Sequence, residues 1–153
     1  MSVYLVQHGK SLSKEEDPEK GLSEKGIKDV KGIAKVAKKS GISVSCIKHS
    51  GKKRARQTAE IFSSALNPEG DVQEISGLNP LDDVRTFSSN LRSKENIMYV
   101  GHLPFMERLS SYLICGDEDN PVFKFQNGGI VCIDQDEDSE KWAIKRTFMP
   151  DVK

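Results

Sequence analysis

Val3-Tyr4-Leu5-Val6, followed at once by Gln7-His8-Gly9, is the stretch that decides the fold. Ser2 to Val6 is apolar on both faces rather than alternating, as in a strand covered on both sides within an α/β sheet. The next segment, Lys10 to Gly21, is charged and contains Pro18, so it reads as a solvated loop over the strand end. From Ser23, an N-cap residue, Ile27, Val30, Ile33, Ala34 and Ala37 recur at helical spacing until Lys38-Lys39-Ser40-Gly41 supplies a basic last turn and a glycine stop. Ser43 to Lys48 reads as a second strand. Arg54 to Leu66 reads as a helix that Pro68 must end. A weaker strand near Val72 to Ile75, a helix from about Leu81 to Leu91 and a strong strand at Asn96 to Val100 follow. Pro104 can open the next helix, through Met106, Leu109, Leu113 and Ile114. Gly129 to Asp134 and Trp142 to Phe148 form a closing hairpin around an acidic turn. This order of elements predicts an α/β three-layer sandwich, a central, mostly parallel sheet flanked by helices.

A chain of 153 residues suits one domain, spanning 1–153, with no repeat, low-complexity tract or linker. Basic and acidic residues both number 23, so no overall positive field marks a nucleic-acid binder, and any basic site is local. No apolar stretch approaches the roughly 18 to 20 residues that span a bilayer, and no leader-like h-region opens the chain. The expectation is a soluble, cytoplasmic protein with no membrane and no nucleic acid among its partners. Cys46, Cys115 and Cys132 are odd in number and widely spaced, which reads as buried or half-buried small hydrophobes rather than disulfides or zinc ligands.

His8 follows the first strand, Arg54 the second, and His102 the strand at Asn96 to Val100. Ligands of open α/β sheets bind at the carboxyl ends of strands, so all three residues fall on one edge of one sheet. Helix N-termini beside Arg54 and His102 add backbone donors and a dipole that favour phosphate. Taken singly, each residue has a plainer reading: His8 as a hydrogen-bonded structural histidine, Arg54 as part of a solvated basic turn with Lys52, Lys53 and Arg56, His102 as a loop residue capping a helix. His49 reads as a strand-end or rim histidine.

Gln7-His8-Gly9, Ser50-Gly51-Lys52-Lys53-Arg54-Ala55-Arg56-Gln57-Thr58 and Val100-Gly101-His102-Leu103-Pro104 together resemble the three signature segments of the histidine phosphatase superfamily, the phosphoglycerate-mutase-like proteins. Gly21-Leu22-Ser23-Glu24-Lys25-Gly26 resembles the stretch that opens the first helix in that family, and Arg54 to Ile61 resembles its Arg-x-x-Gln-Thr-Ala run. The short interval between Arg54 and His102, with Leu78-Asn79-Pro80 inside it, resembles the compact SixA-like branch, the phosphohistidine phosphatases. One letter departs from the pattern: Gln7 stands where the family has arginine.

The resemblance implies a phosphoglycerate mutase-like fold and a phosphatase that needs no cofactor and no metal. Neutral His8 would attack phosphorus through Nε2, its other nitrogen donating to backbone, and water would hydrolyse the resulting phosphohistidine. Arg54 would hold the phosphoryl oxygens, and His102, if protonated, would add charge and a hydrogen bond. Gln7 and Gly9, and the backbone at Asn127 and Gly128, are the further phosphate-binding candidates, although Asn127-Gly128-Gly129 also reads as a plain turn. Longer family members use a carboxylic acid on the leaving alkoxide; Asp82 and Asp83 lie in the corresponding interval but read as helix-start residues. An imidazole leaving group, with a pKa near 7, does not need that acid.

Gln7 can donate one amide hydrogen bond but supplies neither the charge nor the two-pronged geometry of arginine, a loss on the order of a hundredfold to a thousandfold in rate. Lys10, Lys52 or Lys53 could restore the charge. Three functions therefore stand: a phosphatase acting on phosphohistidine in a signalling protein such as a histidine phosphotransfer domain, a catalytically weak or inactive module that binds phosphate or phosphohistidine, and a phosphomonoesterase for a small phosphorylated molecule.

Overall fold

Alternating side chains on the central strands divide the interior into two cores. On the first strand, β1 (Val3–Gln7), Tyr4 and Val6 join one apolar cluster while Val3 and Leu5 join the other. The strand at Ile97–Gly101 does the same, with Met98 and Val100 on one side and Ile97 and Tyr99 on the other. A strand buried on both faces needs a helical layer on each, and that is the arrangement in the computed structural model, which describes residues 1–150. The expected unit of 1–153 thus includes three residues, 151–153, outside those described.

In chain order the elements are β1, α1 (Glu24–Lys39), β2 (Cys46–His49), α2 (Lys53–Leu66), β3 (Val72–Glu74), α3 (Val84–Ser88), β4 (Ile97–Gly101), α4 (Phe105–Cys115), β5 (Ile130–Gln135) and β6 (Trp142–Phe148). One sheet holds all six strands in the order β3-β2-β4-β1-β5-β6. β3, β2, β4 and β1 run parallel, and β5 and β6 add an antiparallel hairpin at one edge. The α/β class and the mostly parallel central sheet expected from the sequence are both present. α1 and α2 pack together over the Val6 side of the sheet, their buried Val30, Ala34, Ala55, Ala59 and Phe62 meeting Met98, Val100 and Ile130. α3 and α4 cover the Leu5 side through Val84, Phe105, Met106 and Leu109.

The local signals hold where they were strongest. Ser23 caps α1 by accepting the Gly26 amide at 3.0 Å, and Lys38 and Lys39 occupy its last turn. Three expectations differ. The helix expected from Leu81 to Leu91 shrinks to α3, because Asp82 accepts the Asn79 amide in a turn and Asp83 caps the helix after it. The second strand begins at Cys46 rather than Ser43. Asn96, held in the left-handed region at φ 58°, pins Ser43 and Ser45 by hydrogen bonds in place of a ladder. Cys132 is buried and Cys46 half-buried as expected, but Cys115 is exposed at the end of α4. Among the described residues no helix is long and apolar enough to cross a membrane.

Candidate active site

Strand register builds the site. β1 and β4 are parallel neighbours with Gln7 opposite Gly101, so His8 and His102 are the next residues on strands about 4.8 Å apart. Their rings come to 5.0 Å between centroids. β2 lies on the other side of β4 with His49 opposite Val100, which brings Ser50 alongside and feeds the chain directly into α2, whose first turn carries Arg54. Arg54 Nε lies 3.3 Å from His8 Nε2. The three residues singled out from three distant segments are therefore assembled at one edge. The Lys52 side chain does not cap α2, so the opening amides of that helix carry no side-chain acceptor.

His8 is held on every side. Its amide donates to Gly101 O at 2.9 Å, continuing the β1–β4 ladder one residue beyond the strand. Its ring Nδ1 lies 2.6 Å from Gly9 O, a contact that requires the proton on Nδ1 and leaves Nε2 with its lone pair. The Gly9 amide donates to Thr58 Oγ1 at 3.0 Å, and the Thr58 hydroxyl donates to Arg54 O at 2.8 Å. Thr58 thereby ties the histidine loop to the helix that carries the arginine. Gln57, one residue before, accepts the Leu22 amide at 2.7 Å. The Arg-x-x-Gln-Thr spacing places all three residues on one face of α2, where Gln57 and Thr58 fasten the two loop ends that flank the site. Sequence reasoning quoted these two residues without a role; their i+3 and i+4 spacing from Arg54 was the available signal.

Gly9 packs where a side chain would not fit: a Cβ there would lie 2.7 Å from Val30 Cγ2. Gly128 has φ +80°, and its amide is shared between Gln7 O at 2.8 Å and His8 O at 3.2 Å. Asn127 Nδ2 donates to His8 O at 3.1 Å. The Gly128 amide, a candidate for phosphate binding, is engaged by the backbone of Gln7 and His8, and with the Asn127 side chain it holds the histidine loop. Gln7 itself is half-buried, with its carboxamide oxygen buried and unpartnered.

The electrostatics keep both histidines neutral. Burial, opposed by the Gly9 carbonyl and reinforced by the positive charges of Arg54 and Lys20, lowers the His8 pKa from 6.5 to about 4. His102, 1 % exposed, is lowered to about 3 by burial and then by His8, Arg54 and Lys52. Its Nε2 lies 2.6 Å from Ser50 Oγ, and its Nδ1 is buried without a partner. Of the lysines considered as replacements for the missing arginine charge, Lys53 is engaged: its Nζ sits 2.9 Å from Asp17, whose other contacts, from the Gly21 and Glu19 amides, order the loop after His8. Lys10 is exposed at the base of that loop. Lys52 and a residue the sequence reading passed over, Lys20, are the cations felt by His102 and His8 respectively. His49 is the strand-end residue expected, but it is buried, and its Nδ1 accepts the Gly51 amide at 3.0 Å.

A pH dependence of stability follows. Unfolded histidines titrate near 6.5, whereas the folded rings stay neutral down to about 4 and 3, so between these limits the unfolded chain binds more protons. Stability is then full above pH 6.5 and falls as the pH drops toward 4, by an amount on the order of a few kcal/mol for the two rings together. Melting curves between pH 7 and 4.5 should show this fall, and a His102→Asn chain should show a shallower one. Parallel curves for the two proteins would contradict the assignment.

The model of the histidine phosphatase superfamily (branch 1) matches residues 3–82, just over half of the chain, and includes the segments carrying His8 and Arg54. The chain belongs to the histidine phosphatase superfamily. Phosphatase chemistry, a hydrolysis, comes with that membership. Solved structures of several phosphatases share the whole fold. The protein histidine phosphatase SixA, solved with tungstate, is 23% identical and superposes with a TM-score of 0.82, covering 98% of this chain and 97% of its own. The α-ribazole phosphatase of Shigella flexneri is 15% identical with a TM-score of 0.75, each chain covered completely. A mycobacterial glucosyl-3-phosphoglycerate phosphatase, solved with VO3, is 13% identical with a TM-score of 0.69, covering 95% of this chain and 97% of its own. These likenesses establish the phosphoglycerate mutase-like fold. No curated protein sequence matches the chain.

Proposed function

We propose that this superfamily member acts as a single cytoplasmic domain that hydrolyses phosphohistidine in a signalling protein, through a covalent phosphohistidine on His8 and with no metal or cofactor in any step. The observation that carries this reading is the setting of His8: a neutral ring whose Nδ1 faces Gly9 O and whose Nε2 meets Arg54 Nε at 3.3 Å. A phosphoryl group entering between them would take the arginine's donors and free the Nε2 lone pair. That lone pair forms the new bond to phosphorus as the substrate's P–N bond breaks, and the departing ring, already protonated from solvent on its other nitrogen, keeps the bonding pair and leaves as neutral imidazole. Water then attacks phosphorus, the bond to His8 returns its electrons to Nε2, and phosphate leaves. His102 is neutral in the empty site, but an arriving dianion favours its protonated form, which donates to the oxygens as charge gathers on them. The fold shared with a SixA solved with tungstate, a tetrahedral oxyanion, supports a phosphoryl-binding role for this fold.

The choice of an N-phosphorylated substrate rests on the carboxylates. Asp82 accepts the Asn79 amide at 2.9 Å, and Asp83 accepts from Arg85 N and Thr86 Oγ1, contacts that hold the Asp83 pKa below the usual carboxylate range. Asp83, kept ionised in a helix cap, is a poor proton donor to an alkoxide, while a phosphohistidine ring protonated from solvent needs no carboxylic acid in order to leave. Asp82→Asn and Asp83→Asn chains are therefore expected to keep the native pH–rate profile on a phosphohistidine-bearing protein. Loss of the profile's alkaline limb in either would favour the small-molecule phosphomonoesterase. Gln7 supports a second reading, a module that binds phosphohistidine without useful turnover, because it removes a fixed charge from the site. The test is phosphate release from a phosphohistidine-bearing protein compared with a small phosphomonoester. Faster release from the former supports the proposal; bound phosphate with no release moves the weight to the binding module.

A further inference from the structure

Ser50 has no part in the chemistry described so far, yet it is the only hydrogen-bond partner of the His102 ring among the described residues. Register explains why it is there: His49 pairs with Val100, so Ser50 leaves β2 beside Gly101, one residue before the histidine. Its Oγ lies 2.6 Å from His102 Nε2 and also accepts the Lys52 amide at 3.4 Å. Besides the lone pair given to Lys52, Oγ keeps its hydrogen and a second lone pair, so it bonds Nε2 in either neutral tautomer, while Nδ1 is buried and unpartnered. The final torsion of a histidine side chain is broad and roughly two-fold, so without this bond nothing polar would decide which nitrogen faces the site.

We infer that Ser50 is a positioning residue for His102: its hydroxyl fixes Nε2 toward the phosphoryl position in the empty site and yields that nitrogen to a phosphoryl oxygen when one binds. The inference deepens the phosphatase reading and rests on it. On binding, the ring takes a proton from solvent and its Nε2–H donates to the oxygen, while the Ser50 hydroxyl turns to the same group as a further donor. This adds polar contact near the place where Gln7 supplies less than an arginine would.

The test is nitrogen NMR of protein carrying labelled histidine, with inorganic phosphate as the probe, on the native chain, Ser50→Ala and Ser50→Thr. The charged and titratable groups facing the ring, His8, Arg54 and Lys52, are the same in all three. The native and threonine proteins are expected to show His102 in one neutral tautomer when empty, and protonated on both nitrogens with phosphate. Ser50→Ala should show mixed tautomers when empty, with kcat lowered up to about a hundredfold and KM nearly unchanged. Native ring signals in Ser50→Ala, or a threonine protein that behaves like the alanine one, would overturn the inference. Because the ring signals need no turnover, an inactive native chain would fail the phosphatase reading while these spectra still decide the role of Ser50.

Discussion

Replacing His8 by alanine is expected to abolish turnover and, with it, any acid-labile phosphoenzyme. His8 lies on the β1–β4 boundary, with its amide on Gly101 O, its carbonyl on Asn127 and Gly128, and only its ring directed to Arg54. The backbone contacts survive the substitution, so the fold and phosphate binding through Arg54 should persist while the nucleophile is gone. Loss of a nucleophile costs about a millionfold in well-studied hydrolases, leaving only the rate that binding and electrostatics provide. The readout is phosphate release per enzyme, with a thermal melt to show that the chain is folded. An alanine protein that is folded and active would remove His8 from the mechanism.

Arginine in place of Gln7 is expected to raise kcat/KM by roughly a hundredfold, the size of effect seen when one preorganised donor to a developing oxyanion is removed or restored. Gln7 is next to His8 and opposite Gly101, so the side chain sits at the mouth formed by the two histidine-bearing strands. Its oxygen is buried with no donor facing it, so the native carboxamide is imperfectly satisfied and its replacement sacrifices no hydrogen bond. The added charge also disfavours protonation of His8, whose pKa should stay below its ordinary value, so the gain should appear across the neutral range. A folded Gln7→Arg chain with unchanged kcat/KM would mean that Lys20 and Lys52 already supply the charge at the site.

Much of this architecture was legible in the chain. β1 could be read because four apolar residues in succession have few other uses in a chain of this length, and α1 because Ser23 and its basic last turn mark both ends. His8, Arg54 and His102 could be placed on one edge before any geometry was known, since each follows a strand that the pattern makes visible. What sequence could not provide was register. Nothing in the letters says that Gln7 stands opposite Gly101 or that His49 stands opposite Val100, yet these pairings bring the two histidine rings together and seat Ser50 on one of them. The competition for donors was equally hidden. The Gly128 amide looks available to an anion until the fold brings the carbonyls of Gln7 and His8 to it, and Lys53 looks like a spare charge until Asp17 is found beside it. The shortened α3 has a simpler cause. Two adjacent aspartates after Pro80 offered both a turn and a cap, and each was used once, delaying the helix to Val84.

The most direct test of the central claim is to mix the native chain with a protein carrying labelled phosphohistidine, quench within the first turnover, and locate the label. The account predicts label on His8 Nε2, lost in acid and retained in alkali, together with labelled phosphate in solution. Phosphate released with no label ever appearing on His8, or label found on another residue, would contradict it.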